Sequence, residues 1–385
     1  MAKLGDICTF QSGGTPSKSN SEYFNGSIPW ITTVALTGDY IGKNDAVDWI
    51  TDKAIQESAA KIIPENSIMV GTRVGIGKVA INAIPMSASQ DIVSLMNIDD
   101  AKWDKKFLCK VISARNPYLL SQARGATIKG IKIDTLAKLE IPEIPLNEQR
   151  RIAAVLDKVS GLIAKRREQL DKLDELVKAR FVEMFGDPLL DSGKYPKVPL
   201  GSLTEVGSSK RIFEKEYVSE GVPFYRTKEI VELSKGNRIT TELFITRERY
   251  DEICREYGVP QTGDLLISAV GTIGVIWIVD GKNDFYFKDG NLLRVATSEK
   301  FVPIYLKYLL ESLIGAYKLE MSSGTAYAAL TISTLKEILV YEVPLAEQEQ
   351  FGIFVKQIDK SKLTIQQSLD KLEVLKKALM QEYFG

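Results

Sequence analysis

Apolar positions along this chain fall into a seven-residue rhythm twice, and each time the rhythm predicts a long helix. In the first stretch Leu156, Ile163, Leu170, Val177 and Met184 recur every seven residues. Ile152, Val159 and Leu173 fill interleaved positions, with Arg166 and Arg180 as exceptions. In the second, Ile358, Ile365, Leu372 and Leu379 form the series, with Leu369 and Tyr383 beside it. A heptad of apolar residues with charged flanks is a coiled-coil pattern. Neither stretch has an internal proline, and in the first only Gly161 weakens the helix. About 39 residues at ~1.5 Å each give a rod of about 58 Å. An amphipathic helix lying on its own globule is the plainer alternative. It leaves both long heptads unexplained, because globular helices average about 11–12 residues. Two similar helices in one chain can instead pair. The expected seam is Leu156, Val159, Ile163, Leu170, Leu173 and Val177 against Ile358, Ile365, Leu369, Leu372 and Leu379. Since each helix follows a globule, antiparallel pairing would place the globules at opposite ends of the rod.

Ahead of each helix the pattern shortens to β-type runs bounded by Gly, Pro, Asn and Asp. Residues 67–70, 78–81 and 92–96 read as strands, and 105–114 as a helix that stops at Asn116-Pro117. Pro142-Glu143-Ile144-Pro145 is a stiff connector. The second globule has strands near 265–268 and 274–279 and a helix near 304–310. The expected class is α+β. Mixed globules occupy residues 1–145 and 187–344, helices occupy 146–186 and 345–385, and the two helices pair antiparallel with pseudo-two-fold symmetry.

The halves repeat each other at an offset of about 199 residues, far beyond the ~20–50 of a solenoid unit. Pro145-Leu146-Asn147-Glu148-Gln149 matches Pro344-Leu345-Ala346-Glu347-Gln348, and the Phe185-Gly186 end matches Phe384-Gly385. Leu170-Asp171-Lys172-Leu173 matches Leu369-Asp370-Lys371-Leu372, and Leu4-Gly5 matches Leu200-Gly201. Ile28-Pro29-Trp30-Ile31-Thr32-Thr33 corresponds to Val222-Pro223-Phe224-Tyr225-Arg226-Thr227, and Ile76-Gly77 to Ile273-Gly274. Gly125 and Ile133-Asp134-Thr135-Leu136 correspond to Gly324 and Ile332-Ser333-Thr334-Leu335. The helices repeat closely and the globules only in patches. That is what two readers of different targets on one skeleton would show, though drift gives the same pattern.

Composition narrows the chemistry. At 385 residues, 26% charged and 44% hydrophobic, the chain suits two or three soluble domains. No apolar run approaches the ~18–20 residues of a membrane span, and the N-terminal residues have no signal-peptide stretch. Cys8, Cys109 and Cys254 lack metal spacing and fit a reducing cytoplasm. Fifty basic residues balance fifty acidic ones, so net charge does not announce nucleic acid. There is no histidine, which lowers the prospects for acid–base or zinc chemistry.

Motifs of catalysis fail on spacing. Gly71-Thr72-Arg73-Val74-Gly75-Ile76-Gly77-Lys78-Val79 has five residues before Gly-Lys, and Val79 cannot bind magnesium as a P-loop Ser or Thr would. It reads as a glycine-rich turn between strands, from which Arg73 and Lys78 can reach a phosphate. Asn116-Pro117-Tyr118 lacks the second proline of an adenine-methyltransferase motif and reads as a helix stop. A basic run contains Lys102, Lys105, Lys106, Lys110, Arg115, Arg124, Lys129 and Lys132 against Asp104. Such a run is either a solvated face or a surface for clamping and reading DNA.

The whole order, repeated twice, resembles the specificity (S, HsdS) subunit of type I restriction-modification systems. The resemblance rests on the Leu4-Gly5 and Leu200-Gly201 openings, the Ile28–Thr33 and Gly125…Leu136 patches, and above all the Pro-Leu-x-Glu-Gln helix starts with Phe-Gly ends. It implies a non-catalytic chain whose globules are target recognition domains. Each would read one half of a bipartite, asymmetric site in double-stranded DNA, with the helix pair fixing the spacer. A 58 Å rod exceeds one ~34 Å turn of DNA. It also implies two modification subunits, carrying S-adenosylmethionine, and two restriction subunits, using ATP and Mg²⁺. No cofactor or metal is expected on this chain. Candidate DNA contacts are Thr32, Thr33, Arg73, Lys78, Arg124 and Lys129 in the first globule, and Lys210, Arg211, Arg226 and Lys228 in the second. Val155, Leu162, Phe181, Phe351, Phe354 and Leu375 lie off the seams and are candidate contacts for a modification subunit. Two other classes stay open. A self-contained methyltransferase or nuclease would bind cofactor alone, and a coiled-coil scaffold would join partners without touching DNA.

Overall fold

The computed structural model describes residues 1–125, 129–190, 193–322 and 329–385, with side chains omitted at 321 and 322. It divides into two compact units. The first comprises Met1–Arg167 and Gln367–Gly385, and the second Glu168–Gln366. Each therefore contains a globule and one segment from each long helix, Leu146–Phe185 and Leu345–Phe384.

In the first unit a five-stranded sheet has the order Thr9–Ser12, Ile92–Met96, Ile68–Gly71, Val79–Asn82, Tyr40–Ile41. The first four strands are antiparallel, and Tyr40–Ile41 joins Val79–Asn82 in parallel. Ile68–Gly71 is a continuous apolar run because both its faces are buried. Ile68 and Val70 face the helix Lys105–Ala114, whose Phe107, Leu108, Val111 and Ile112 share their core. Met69 and Ala80 face a second core with Ile31, Leu36 and Met86.

The second unit repeats this plan. Its four-stranded sheet runs Val206–Gly207, Leu292–Val295, Leu265–Ser268, Ile276–Ile278. Leu265 and Ile267 pack on the helix Pro303–Ser322, while Leu266 and Trp277 pack on the other face with Tyr225 and Phe285. In place of the fifth strand it carries the helix Thr227–Ser234, while Arg247–Glu256 follows Phe244–Ile245 as Asp52–Glu57 follows Asp48–Ile50.

Three local expectations change. The strand placed at 274–279 is Ile276–Ile278, because Gly274 has φ +85° and still belongs to the turn. The helix placed at 304–310 extends over Pro303–Ser322. Asn116-Pro117 ends one helix but also opens another, Asn116–Ser121, since a proline in the first turn needs no amide partner.

Both long helices are fastened at each end. Gln149 is 1% exposed. Its amide donates to the carbonyls of Lys102 and Ile144, both at 2.9 Å, and its Oε1 accepts from the Asp104 amide at 2.9 Å. Gln348, fully buried, repeats the three bonds with Lys300 at 3.0 Å, Val343 at 2.8 Å and Val302 at 2.8 Å. The glutamine of each Pro-Leu-x-Glu-Gln start thus ties the helix to its preceding connector and to the loop before the globule's main helix. The Phe-Gly ends supply aromatic anchors. Phe384 lies against Phe107 at 5.7 Å in the first unit. Phe185 lies against Tyr305 at 4.9 Å in the second.

Within each unit the two helix segments run antiparallel. In the first, Arg167 pairs with Glu373 at 2.7 Å, while Ile163 and Met380 line one groove. In the second, Asp174 pairs with Lys362 and Phe181 meets Phe351 at 5.4 Å. Leu156, Val159, Ile163 and Leu369 in the first unit and Val177 in the second are buried. Leu372 and Leu379 in the first and Leu170, Leu173, Ile358 and Ile365 in the second are half-buried.

Candidate nucleic-acid interface

The glycine-rich segment is a hairpin turn joining Ile68–Gly71 to Val79–Asn82. Gly75 and Gly77 have φ +67° and +75°, and a Cβ on Gly77 would sit 2.9 Å from Asn116. Glycine is therefore required both by conformation and by close approach. The turn leaves Arg73 and Lys78 exposed. Behind it the loop carrying Arg124 is closed by reciprocal Arg124–Gly130 backbone bonds of 2.9 Å, and Ile131 donates to the Thr72 carbonyl at 2.8 Å. This docking brings Arg73 and Arg124 into the lining of one concavity of about 630 Å³, together with Lys132, Lys138, Tyr118 and Gln122. Thr32, Lys78 and Lys129 do not line it.

Much of the basic run is neutralised within the protein. Lys105 pairs with Asp100 at 2.6 Å. Lys106 and Lys110 converge on Asp157 of the long helix at 2.9 and 2.6 Å. Partial burial works against the Asp157 charge, but the hydrogen bonds from Lys110 and Lys106 outweigh it and hold the carboxyl below its usual range. Lys376 is shifted down, first by burial and then by Lys110 and Arg167. The free positive charge of the run is concentrated in its later half.

In the second unit the Lys210 ammonium lies 4.6 Å from the Tyr257 ring centroid, while its amide donates to the Tyr286 hydroxyl at 2.6 Å. Arg211 pairs with Asp289 at 2.7 Å. Lys228 is exposed on the first turn of Thr227–Ser234. A separate concavity of about 890 Å³ is lined by Asn237, Arg238, Arg247, Trp277 and Lys282. Asn237 and Arg238 were not among the expected contacts; the only hint was the Gly236-Asn237 turn ahead of an arginine.

Three expected residues need correction. Thr33 is 5% exposed in a 3₁₀ turn and has no surface to offer a duplex. Arg226 stays half-exposed but pairs at 3.1 Å with Glu229, which is 1% exposed and needs a cation in exchange for its lost hydration; the pair closes the start of a helix. Phe181 and Phe351, expected to face a partner, are buried with Phe185 and Tyr305 in the core of the second unit. Their aromatic faces complete that core. Phe354 packs partly on the same core, with the Arg180 guanidinium 5.9 Å from its ring centroid. Val155 is half-buried, while Leu162 and Leu375 are exposed.

Among the described residues no cluster of Cys, Asp and Glu is arranged to hold a metal. No described helix is long and apolar enough to cross a membrane. Gly324, the expected counterpart of Gly125, lies outside the described residues.

Comparison with known proteins gives a consistent result. The type I restriction modification DNA specificity domain model matches residues 1–174 and again 193–376. The MjaIX specificity subunit of Methanocaldococcus jannaschii is 27% identical, over 99% of this chain and 91% of its own length. The EcoR124I/EcoR124II specificity subunit of Escherichia coli is 32% identical over 50% of this chain and 48% of its own. Among solved structures, the type I restriction-modification S subunit from M. genitalium shares the fold with a TM-score of 0.57 at 18% identity, covering 100% of this chain and 95% of that one. A chain from a structural study of complex assembly and conformational transition in the type I R-M system shares it with a TM-score of 0.62 at 20% identity, covering 100% and 96%. A repeated frame in two units and a family match in each half together place this chain in the type I restriction modification DNA specificity domain family, with two such domains in tandem.

Proposed function

We propose that the chain is the DNA-specificity subunit of a type I restriction-modification enzyme. Each unit reads one half of a bipartite, asymmetric sequence, and the paired helices set the spacer. The observation that carries this reading is the split between a repeated frame and a diverged surface. Gln149 and Gln348 make the same bonds, and Phe384 and Phe185 fill matching places. The side chains around the two hairpins differ. Two readers of different half-sites on one frame account for that split.

In this reading catalysis and its cofactors belong to partners: two modification subunits with S-adenosylmethionine and two restriction subunits with ATP and Mg²⁺. Of the expected positions, Leu162 and Leu375, with Val155 and the free part of Phe354, stay open to a modification subunit, and Leu176, Ile353, Leu363 and Val374 are exposed on the same helices. The complex acts where the DNA is, in the cytoplasm. Base-resolution methylation mapping in cells expressing the chain with its modification subunit tests this. The expected motif has two unlike half-sites around an unspecific gap. A continuous or palindromic motif would refute it.

A further inference from the structure

Resting on that DNA-reading function, we propose that the first unit carries a seat for DNA phosphates that the second unit lacks, so that the chain grips the duplex backbone unequally. The comparison is possible because backbone hydrogen bonds fix the correspondence position by position. In the first unit Gly77 donates to the Gly71 carbonyl at 2.9 Å, Thr72 to Asp91 at 2.8 Å, and Ile131 to Thr72 at 2.8 Å. In the second, Gly274 donates to Ser268 at 2.9 Å, Ala269 to Asn291 at 2.8 Å, and Leu330 to Ala269 at 2.9 Å. The short helices Ile133–Ala137 and Ile332–Glu337 then follow in step.

On this frame Arg73 stands where Val270 stands, Lys78 where Val275 stands, Lys132 where Thr331 stands and Lys138 where Glu337 stands. Four cations become three neutral residues and one carboxylate on the same backbone. The counterpart of Arg124 lies outside the described residues. Lys336, the cation of the second short helix, matches Ala137 and packs over Gly201.

The first-unit concavity gathers Arg73, Arg124, Lys132 and Lys138 around one carboxylate, Asp134. Arg73 reaches Asp91 only at 3.9 Å. Arg124, Lys132 and Lys138 have no ion-pair partner among the described residues. Holding such charges together without a counter-charge is unfavourable, and a phosphodiester supplies that counter-charge. Lysine is a point donor suited to phosphate, not a planar fork suited to a base edge. Contacts of this kind fix position and carry no sequence information.

Near the matching hairpin the second unit offers no cation in exchange among its described residues. Arg211, Arg247, Arg249 and Arg294 are paired with Asp289, Asp284, Glu252 and Asp264, and Arg226 with Glu229. The exposed Arg238 lines a different concavity. At this position on the frame the second unit therefore draws less on the phosphate backbone.

The test measures binding of the full chain, in complex with its modification subunit, to a duplex carrying the methylated motif and to a random duplex, across 50–300 mM salt. Lys132→Gln/Lys138→Gln should make the logarithmic salt slope shallower by about 1.8 and weaken both duplexes alike, by about 30-fold at 0.15 M. Thermal melting should not move, because both side chains are exposed. The matched pair in the second unit, Thr331→Gln/Glu337→Gln, should leave the slope no shallower than the parent. An unchanged slope in the first pair would overturn the seat. Equal loss from both pairs would overturn the asymmetry. A parent complex that binds neither duplex would instead overturn the DNA-reading function itself.

Discussion

Replacing Gln348 with Ala should loosen the second unit at one identifiable point. The side chain is fully buried and makes three hydrogen bonds, all to backbone groups. Alanine leaves two carbonyls and the Val302 amide without a partner and away from water. A net loss of ~0.5–1.5 kcal/mol per bond, raised by the cost of stranding buried groups, gives about 2–5 kcal/mol. For a unit of this size that lowers the melting temperature by about 5–15 °C. Gln348→Glu should be no milder, because a carboxylate would face the Lys300 and Val343 carbonyls. The sharper assay is amide hydrogen exchange. Val302 loses its acceptor directly, so its protection should fall by more than that of Leu266, in the sheet. Gln149→Ala should produce the same signature at Asp104 in the first unit. Parent-like melting and parent-like protection at Val302 would refute the tether.

Other outcomes follow from the same geometry. Asp157 has a folded pKa below its unfolded value of about 3.9, so its stabilisation is present above that range and lost as pH falls through the lower folded value. Asp157→Asn should therefore melt below the parent at pH 7, with the gap closing as the pH is taken below the ordinary carboxylate range; a constant gap would contradict the Lys106 and Lys110 pairing. Phe181→Glu should unfold the second unit by placing a carboxylate among Phe185, Tyr305 and Phe351, whereas Leu162→Glu/Leu375→Glu should melt as the parent and lose modification subunit on co-purification. Four residues inserted near Glu168 should lengthen the methylated spacer and leave both half-sites unchanged; altered bases at the old spacing would exclude the helices as the ruler.

The helices were legible because a heptad is a local, periodic signal. The glutamines of the Pro-Leu-x-Glu-Gln starts were legible as a motif but not as tethers, because Lys102, Ile144, Lys300 and Val343 contribute backbone carbonyls that leave no trace in side-chain identity. The full extent of Pro303–Ser322 was available in the pattern, since the enclosed Leu306, Leu309, Leu310 and Ile314 recur at the i, i+3, i+4, i+8 spacing of one helix face. A heptad gives a helix its apolar faces but not what each face meets, and so Phe181 and Phe351 were assigned outward when their own globule covers them. The Arg226–Glu229 pair could have been found, since i, i+3 spacing on a helix start is a local cue. The partner of Lys106 and Lys110 could not, because Asp157 lies on the far side of a connector.

The most direct test of the account is an exchange of residues 1–145 for the first globule of another family member, followed by methylation mapping in cells that supply the modification subunit. Modular reading predicts that one half-site changes while the other half-site and the spacer stay as they were. A change in both half-sites, or in neither, would contradict it.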